Sequence, residues 1–160
     1  MCRQQVWTWL GPLDRFELVR SCGRSVNQAG EPLSDEELAC IVEAHEVGEE
    51  LLCLARLSEA AEVFELILAS SPSDVLAHLK LAVAVLAVHP DKAGRLAVAL
   101  LRHAVWLEPH NCHARDYADM LLRLATGRPL EPWMTTAARV PQSPGMAAAA
   151  LELLRRSGRK

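Results

Sequence analysis

The stretch Val47–Pro72 reads VGEELLCLARLSEAAEVFELILASSP, and its spacing decides the fold. Gly48 and Ala60 are small and stand twelve positions apart, while Leu51 and Phe64 are bulky. Two antiparallel helices joined by a short turn account for that pattern. A small residue in the first helix lets the second cross closely. A small residue early in the second receives the first, and a large apolar residue one turn later fills the gap. Pro72 cannot continue a helix and closes the unit. Pro109 follows Pro72 by 37 positions and closes a second unit of similar design.

Working outward, the helical region opens at Ser34. Ser34 followed by Glu37 is a capping box, in which hydroxyl and carboxylate each satisfy an orphan amide. Leu38, Ile41, Val42, Val47, Leu51, Leu52 and Ala55 then recur at helical spacing. A second helix is predicted over Ser58 to Ala69, with Ala60, Ala61, Phe64, Ile67 and Leu68 inward. Asp74 caps a third, Val75 to Val88, apolar almost all round and so expected at the centre. His89-Pro90-Asp91 breaks the chain before a fourth helix that ends near Leu107. Asn111 caps a fifth that reaches Ala125, and Gly127 with Pro129 stops it. Beyond, Glu131 to Arg139 suits a short helix, Pro141, Pro144 and Gly145 read as a linker, and Ala-rich Met146 to Arg156 is helical. Ahead of Ser34, Pro12 to Cys22 suits a short helix that Gly23, Asn27, Gly30 and Pro32 break. The expected organisation is a leader over 1–33, a helical repeat domain over 34–127, and a C-terminal linker and capping helix over 128–160.

Composition agrees. Hydrophobic residues make up 51% of 160 residues, enough for one core, and aromatics only 4%. Leu, Ala, Val and Glu dominate, which favours helices over sheets. A net charge of −3 and a pI near 6.1 offer no basic field for phosphates, so nucleic acid is not expected as a partner. The basic tail Arg155, Arg156, Arg159 and Lys160 reads as a solvated end. No segment reaches the ~20 apolar residues of a membrane span, and no signal peptide is evident, so no membrane insertion and a cytoplasmic location are expected. The odd set Cys2, Cys22, Cys40, Cys53 and Cys112 lacks paired spacing and reads as free thiols.

The unit Ile41 to Asp74 resembles the tetratricopeptide repeat (TPR) family, with Ala44 where that family places an aromatic. TPR units are about 34 residues long and stack because one unit cannot bury its own apolar face. In a second unit, Val75 to Asn111, Leu81, Ala82 and Val85 replace the family's Leu, Gly and Tyr, whereas Ala97, Leu101, Ala104 and Pro109 fit. Its extra length is expected in the turn around His89 to Gly94. A third unit begins at Cys112 with Ala118 and Leu122 in place and fades after Gly127. The resemblance covers roughly 38–126 and implies an all-α fold: antiparallel helix pairs stacked as a short right-handed superhelix with extra terminal helices.

That register implies a concave groove lined by first helices. It would present Val42, His45 and Glu49, then Leu76, Leu79, Val83 and Leu86, then His113, Asp116, Tyr117 and Met120. His45 and Glu49 stand where some TPR modules grip a carboxylate with Lys and Asn, and Lys80 is the one basic candidate nearby, so that clamp is not expected. An apolar or amphipathic peptide or helix of a partner protein suits the groove better. Leu79, Val83 and Leu86 serve equally well as core beneath the leader or the C-terminal helix. Architecture and groove character also resemble the class II chaperones of bacterial type III secretion. The function expected is thus a non-catalytic interaction module, an adaptor or a secretion-type chaperone, with no cofactor and with a homodimer left open.

The competing reading is a small metal- or thiol-dependent enzyme. His110, Cys112 and His113, with His103 nearby, are the densest set of metal-ligand types. Zinc wants four such ligands at fixed geometry, and no C-x-x-C pair assists them. His45 and Cys53 lie eight positions apart on one helix, about 12 Å at ~1.5 Å per residue, too far for a base and nucleophile. Glu36-Glu37 and Glu49-Glu50 suit solvent faces and helix starts. No Gly-rich phosphate loop, G-x-S-x-G or H-E-x-x-H occurs. Trp7 and Trp9 would share one face of an extended segment and anchor the leader. Trp106 and Trp133 are expected to cover the C-terminal end of the stack.

Overall fold

The structure is a computed structural model and describes residues 25–137 and 143–158. The expected leader helix over Pro12 to Cys22, and Trp7 and Trp9, lie outside the described residues. Among these, every regular element is an α-helix, apart from one isolated antiparallel bridge between Val26 and Pro32. The helices are α1 (Asp35–Cys53), α2 (Leu57–Ser70), α3 (Val75–Val88), α4 (Gly94–Leu107), α5 (Cys112–Ala125), α6 (Pro132–Ala137) and α7 (Pro144–Arg156). Among the described residues no helix is long and apolar enough to cross a membrane.

Local chemistry sets most of these boundaries. The Glu37 amide donates to Ser34 Oγ at 3.2 Å and the Ser34 amide to Glu37 Oε2 at 2.8 Å, so the capping box forms as read. Asp74 accepts from the Ala77 amide and Asn111 from the Ala114 amide, each at 3.0 Å. After α1 the chain turns through Ala55, whose φ is +57°. There the Arg56 amide donates to the Leu51 carbonyl and the Ala55 amide to the Leu52 carbonyl, a Schellman closure with alanine in the glycine position. The turn between α3 and α4, His89 to Ala93, is longer than the one between α1 and α2, Leu54 to Arg56, where the second unit was expected to hold extra residues.

Helices α1 to α5 each pack on the next, α3 also meets α5, and α6 lies on α5. The crossing of α1 and α2 is built as the spacing requires. A Cβ added to Gly48 would lie 2.5 Å from Phe64 Cζ, so only glycine admits the ring. Ala60 and Phe64 are themselves fully buried. Helix α3 is the centre, flanked by α2, α4, α5 and α7, and eleven of its residues are buried. The remaining neighbour comes from far along the chain: α7 packs against both α1 and α3.

Candidate partner-binding site

The surface that α1, α3 and α5 offer together is where a groove was expected. Of its anticipated contacts, Val42, His45, Glu49, Leu79, Val83, Leu86, Tyr117 and Met120 are all buried, and Leu76 is half-buried. Of the two further residues read onto that row, His113 is exposed and Asp116 half-buried. The buried apolar members share one core with Met146, Ala149, Ala150, Leu153 and Leu154 of α7. The chain's own C-terminal helix therefore occupies this surface. The Tyr117 hydroxyl extends the contact to α5 by donating to the Met146 carbonyl at 2.9 Å. A partner reaches these residues only if α7 leaves.

The start of α7 rests on a buried polar seam. Ser143 caps the helix, accepting from the Met146 amide at 3.1 Å, and Pro144 stands at the first helical position. The Ser143 hydroxyl donates to Glu49 Oε1 at 2.6 Å, and the Gly145 amide donates to Glu49 Oε2 at 2.9 Å. Glu49 thus sits at the positive end of α7. Lys80 Nζ lies 2.9 Å from Glu49 Oε1, with only 2% and 6% of the two side chains exposed. Lys80 also lies 3.3 Å from His45 Nδ1, and His45 Nε2 lies 2.8 Å from Asp74 Oδ2. An ammonium only donates, so His45 accepts at Nδ1 and carries its proton at Nε2, donated to Asp74. Asp74 is in turn the cap of α3. Glu49 and Asp74 therefore each face a helix N-terminus and a second donor.

The electrostatics follow from these partners. Burial alone would push the Glu49 carboxyl up. The Lys80 charge, the Ser143 hydroxyl and the Gly145 amide outweigh it and hold Glu49 below the usual carboxylate range. Burial likewise opposes ionisation of Asp74, and the His45 ring, the Ala77 amide and Lys80 prevail, leaving Asp74 lowered. Burial, with a smaller push from the Glu49 charge, drives the Tyr117 hydroxyl well above its ordinary value. Burial also lowers His78, whose Nδ1 donates to the Asp74 carbonyl at 2.7 Å.

Sequence reasoning placed His45 and Glu49 on this surface and noted Lys80 beside them, but as lining of an open groove. It missed Ser143 and Gly145, read as part of a linker. The available signal was Lys80 itself, a lone cation that demands a buried counter-charge, in a helix otherwise apolar except for His78.

The other candidates do not assemble. His110, Cys112 and His113 are exposed around the start of α5, and among the described residues no three His, Cys, Asp or Glu side chains converge on a metal-holding arrangement. His103 stacks instead between His78, at 4.9 Å, and Trp106, at 5.5 Å. Trp106 is 74% exposed and stacks on His103, and Trp133 is 46% exposed on α6, which lies on α5. A shallow cleft beside Gln28, Glu37, Cys40 and Ala69 is open to solvent and holds no buried charge. No protein-family model, curated protein or solved structure matches the chain.

Proposed function

We propose that this chain is a non-catalytic, TPR-like interaction module of the cytoplasm, which takes an amphipathic helical segment of a partner protein against α1, α3 and α5. It would act as an adaptor or a secretion-type chaperone. The observation that carries the reading is that this surface already holds a helix. α7 lies along it, fixed at both ends by side-chain bonds and buried between them by Met, Ala and Leu. A surface that accommodates one amphipathic helix by shape and charge is suited to another of the same character. The small residues at the α1–α2 crossing and the short antiparallel turns support the repeat-like part of the reading.

The test compares wild-type chain and a Gly145→Val variant as bait in native cells, with captured proteins identified by mass spectrometry. Partners of this surface should be enriched on the variant, whose α7 is unseated, and displaced by a synthetic peptide of residues 143–158. Equal capture on both baits, with no displacement, refutes the reading. A secreted membrane-active protein among the displaced partners assigns the chaperone role, and a multi-subunit complex the adaptor role.

A further inference from the structure

We infer that α7 is a displaceable resident, and that its bonds specify the guest: a partner helix with a hydroxyl N-cap, glycine at its second helical position and a Met/Ala/Leu stripe, running in the direction of α3. This deepens the proposed function and rests on it. Direction follows from the two ends. The first turn of α7 meets Glu49, which is paired to Lys80 in the second turn of α3, and Arg156 in its last turn donates to the carbonyl of Ala87 near the end of α3 at 2.6 Å.

The glycine requirement follows from Glu49. A Cβ added to Gly145 would lie 2.8 Å from Glu49 Cδ and 3.1 Å from Oε1. Moving the Glu49 carboxylate away would break its buried pair with Lys80, itself 2% exposed. A guest with any side chain there must give up the amide bond to Glu49. The hydroxyl requirement follows from Ser143, whose oxygen serves both the Met146 amide and Glu49. Two alanines, Ala149 and Ala150, keep the middle of the helix close to its seat.

Displaceability follows from the chemistry of the seat. Glu49 and Lys80 lose their helix partner when α7 leaves, but water then replaces it, and a hydrated ion pair is a tolerable surface. The apolar part of the seat has no such substitute, so α7 leaves only where a guest helix covers the surface that Met146, Ala149, Ala150, Leu153 and Leu154 cover. α7 competes from within the same chain, which favours it over a free guest. A free guest at micromolar concentration therefore enters only if it outbinds α7 or if α7 is weakened.

The experiment uses the full chain and a fluorescent synthetic peptide of residues 143–158, read by anisotropy. The peptide should bind a Gly145→Val chain at least roughly tenfold more tightly than the wild-type chain. A peptide carrying Gly145→Val should bind neither, and one carrying Ser143→Ala should bind the variant chain more weakly than the native peptide. Circular dichroism checks that the variant chain keeps its helices. If it does not, a Ser143→Ala chain, which loses only a hydroxyl, takes its place with the same expected ranking. Equal binding of the native and Gly145→Val peptides overturns the inference. So does a wild-type chain that runs as a dimer with exchanged α7 helices, which would assign the seat to a second copy. Selective peptide binding with no cellular partner enriched would leave this inference standing and remove the proposed function. Partners enriched on the variant bait that carry no such helix would do the reverse.

Discussion

Replacing Lys80 by Met should convert the Glu49 site from one that needs its charge into one that must lose it. Lys80 Nζ sits 2.9 Å from Glu49 Oε1 with both side chains nearly sealed from water. At that distance and an effective dielectric of about 20, the attraction amounts to ~6 kcal/mol before desolvation is subtracted. Removing one partner of a buried pair typically costs about 3–5 kcal/mol, because the survivor is left charged in the interior. A domain of this size has about 5–15 kcal/mol in total, so Lys80→Met should fold but melt much earlier. Its pH dependence should also reverse. In the wild type Glu49 is held below the usual range, so its contribution is present at neutral pH and fades in acid. Without Lys80, burial dominates and raises the carboxyl above its unfolded value. The folded variant then takes up a proton that the unfolded chain does not, and stability rises as pH falls from 7 towards 5.

Urea unfolding followed by circular dichroism at pH 5, 6 and 7 reads both effects. Adding Glu49→Gln to Lys80→Met should recover about 2 kcal/mol or more at pH 7 and flatten the pH response, because the uncompensated charge is gone. A loss under about 1 kcal/mol, with the wild-type sign of pH dependence, would refute the buried pair and with it the seat of α7.

The wild-type chain should lose stability as pH falls below about 4, since Glu49 and Asp74 are both lowered beneath ordinary values of about 4.3 and 3.9; a melting temperature that stays level from pH 5 to pH 3 contradicts this. Tyr117 is the single tyrosine of the chain, so absorbance near 295 nm reports it alone. Its phenolate should appear only together with loss of helical signal above about pH 10, and ionisation before unfolding would show the hydroxyl open to water. Ala55→Gly should stabilise by about 1 kcal/mol, because alanine is strained at φ +57° and glycine is not; thermal melts decide. Gly48→Ala should cost about 1–3 kcal/mol by overpacking Phe64, and less in a Phe64→Leu background, as a double-mutant cycle would measure.

What could be read in the sequence was what is decided within a few positions. Ser34 with Glu37, Asp74 with Ala77 and Asn111 with Ala114 each act across three residues, and the helices they start begin where those residues place them. Helix α4 has no side-chain cap, which is why its start at Gly94 left no mark in the sequence. The crossing of α1 and α2 was legible because Gly48 and Phe64 belong to one hairpin. The occupant of the expected groove was not, because the bonds from Ser143 and Gly145 to Glu49 span 94 and 96 positions. No local period reaches that far.

Pro144 and Gly145 show how the local rule misleads. Read as punctuation, they make a linker. In place, Pro144 opens α7 at the one turn where its missing amide is harmless. Gly145 is costly there by helix propensity, about 1 kcal/mol against alanine, and is required only because Glu49 lies against it. Lys80 breaks its own local rule in the same way, as a cation in a helix that is apolar apart from His78. Both anomalies point to the same carboxylate. A residue that its own segment disfavours is best explained by a distant contact, and two such residues meeting at Glu49 mark that glutamate as the point where the seat of α7 is decided.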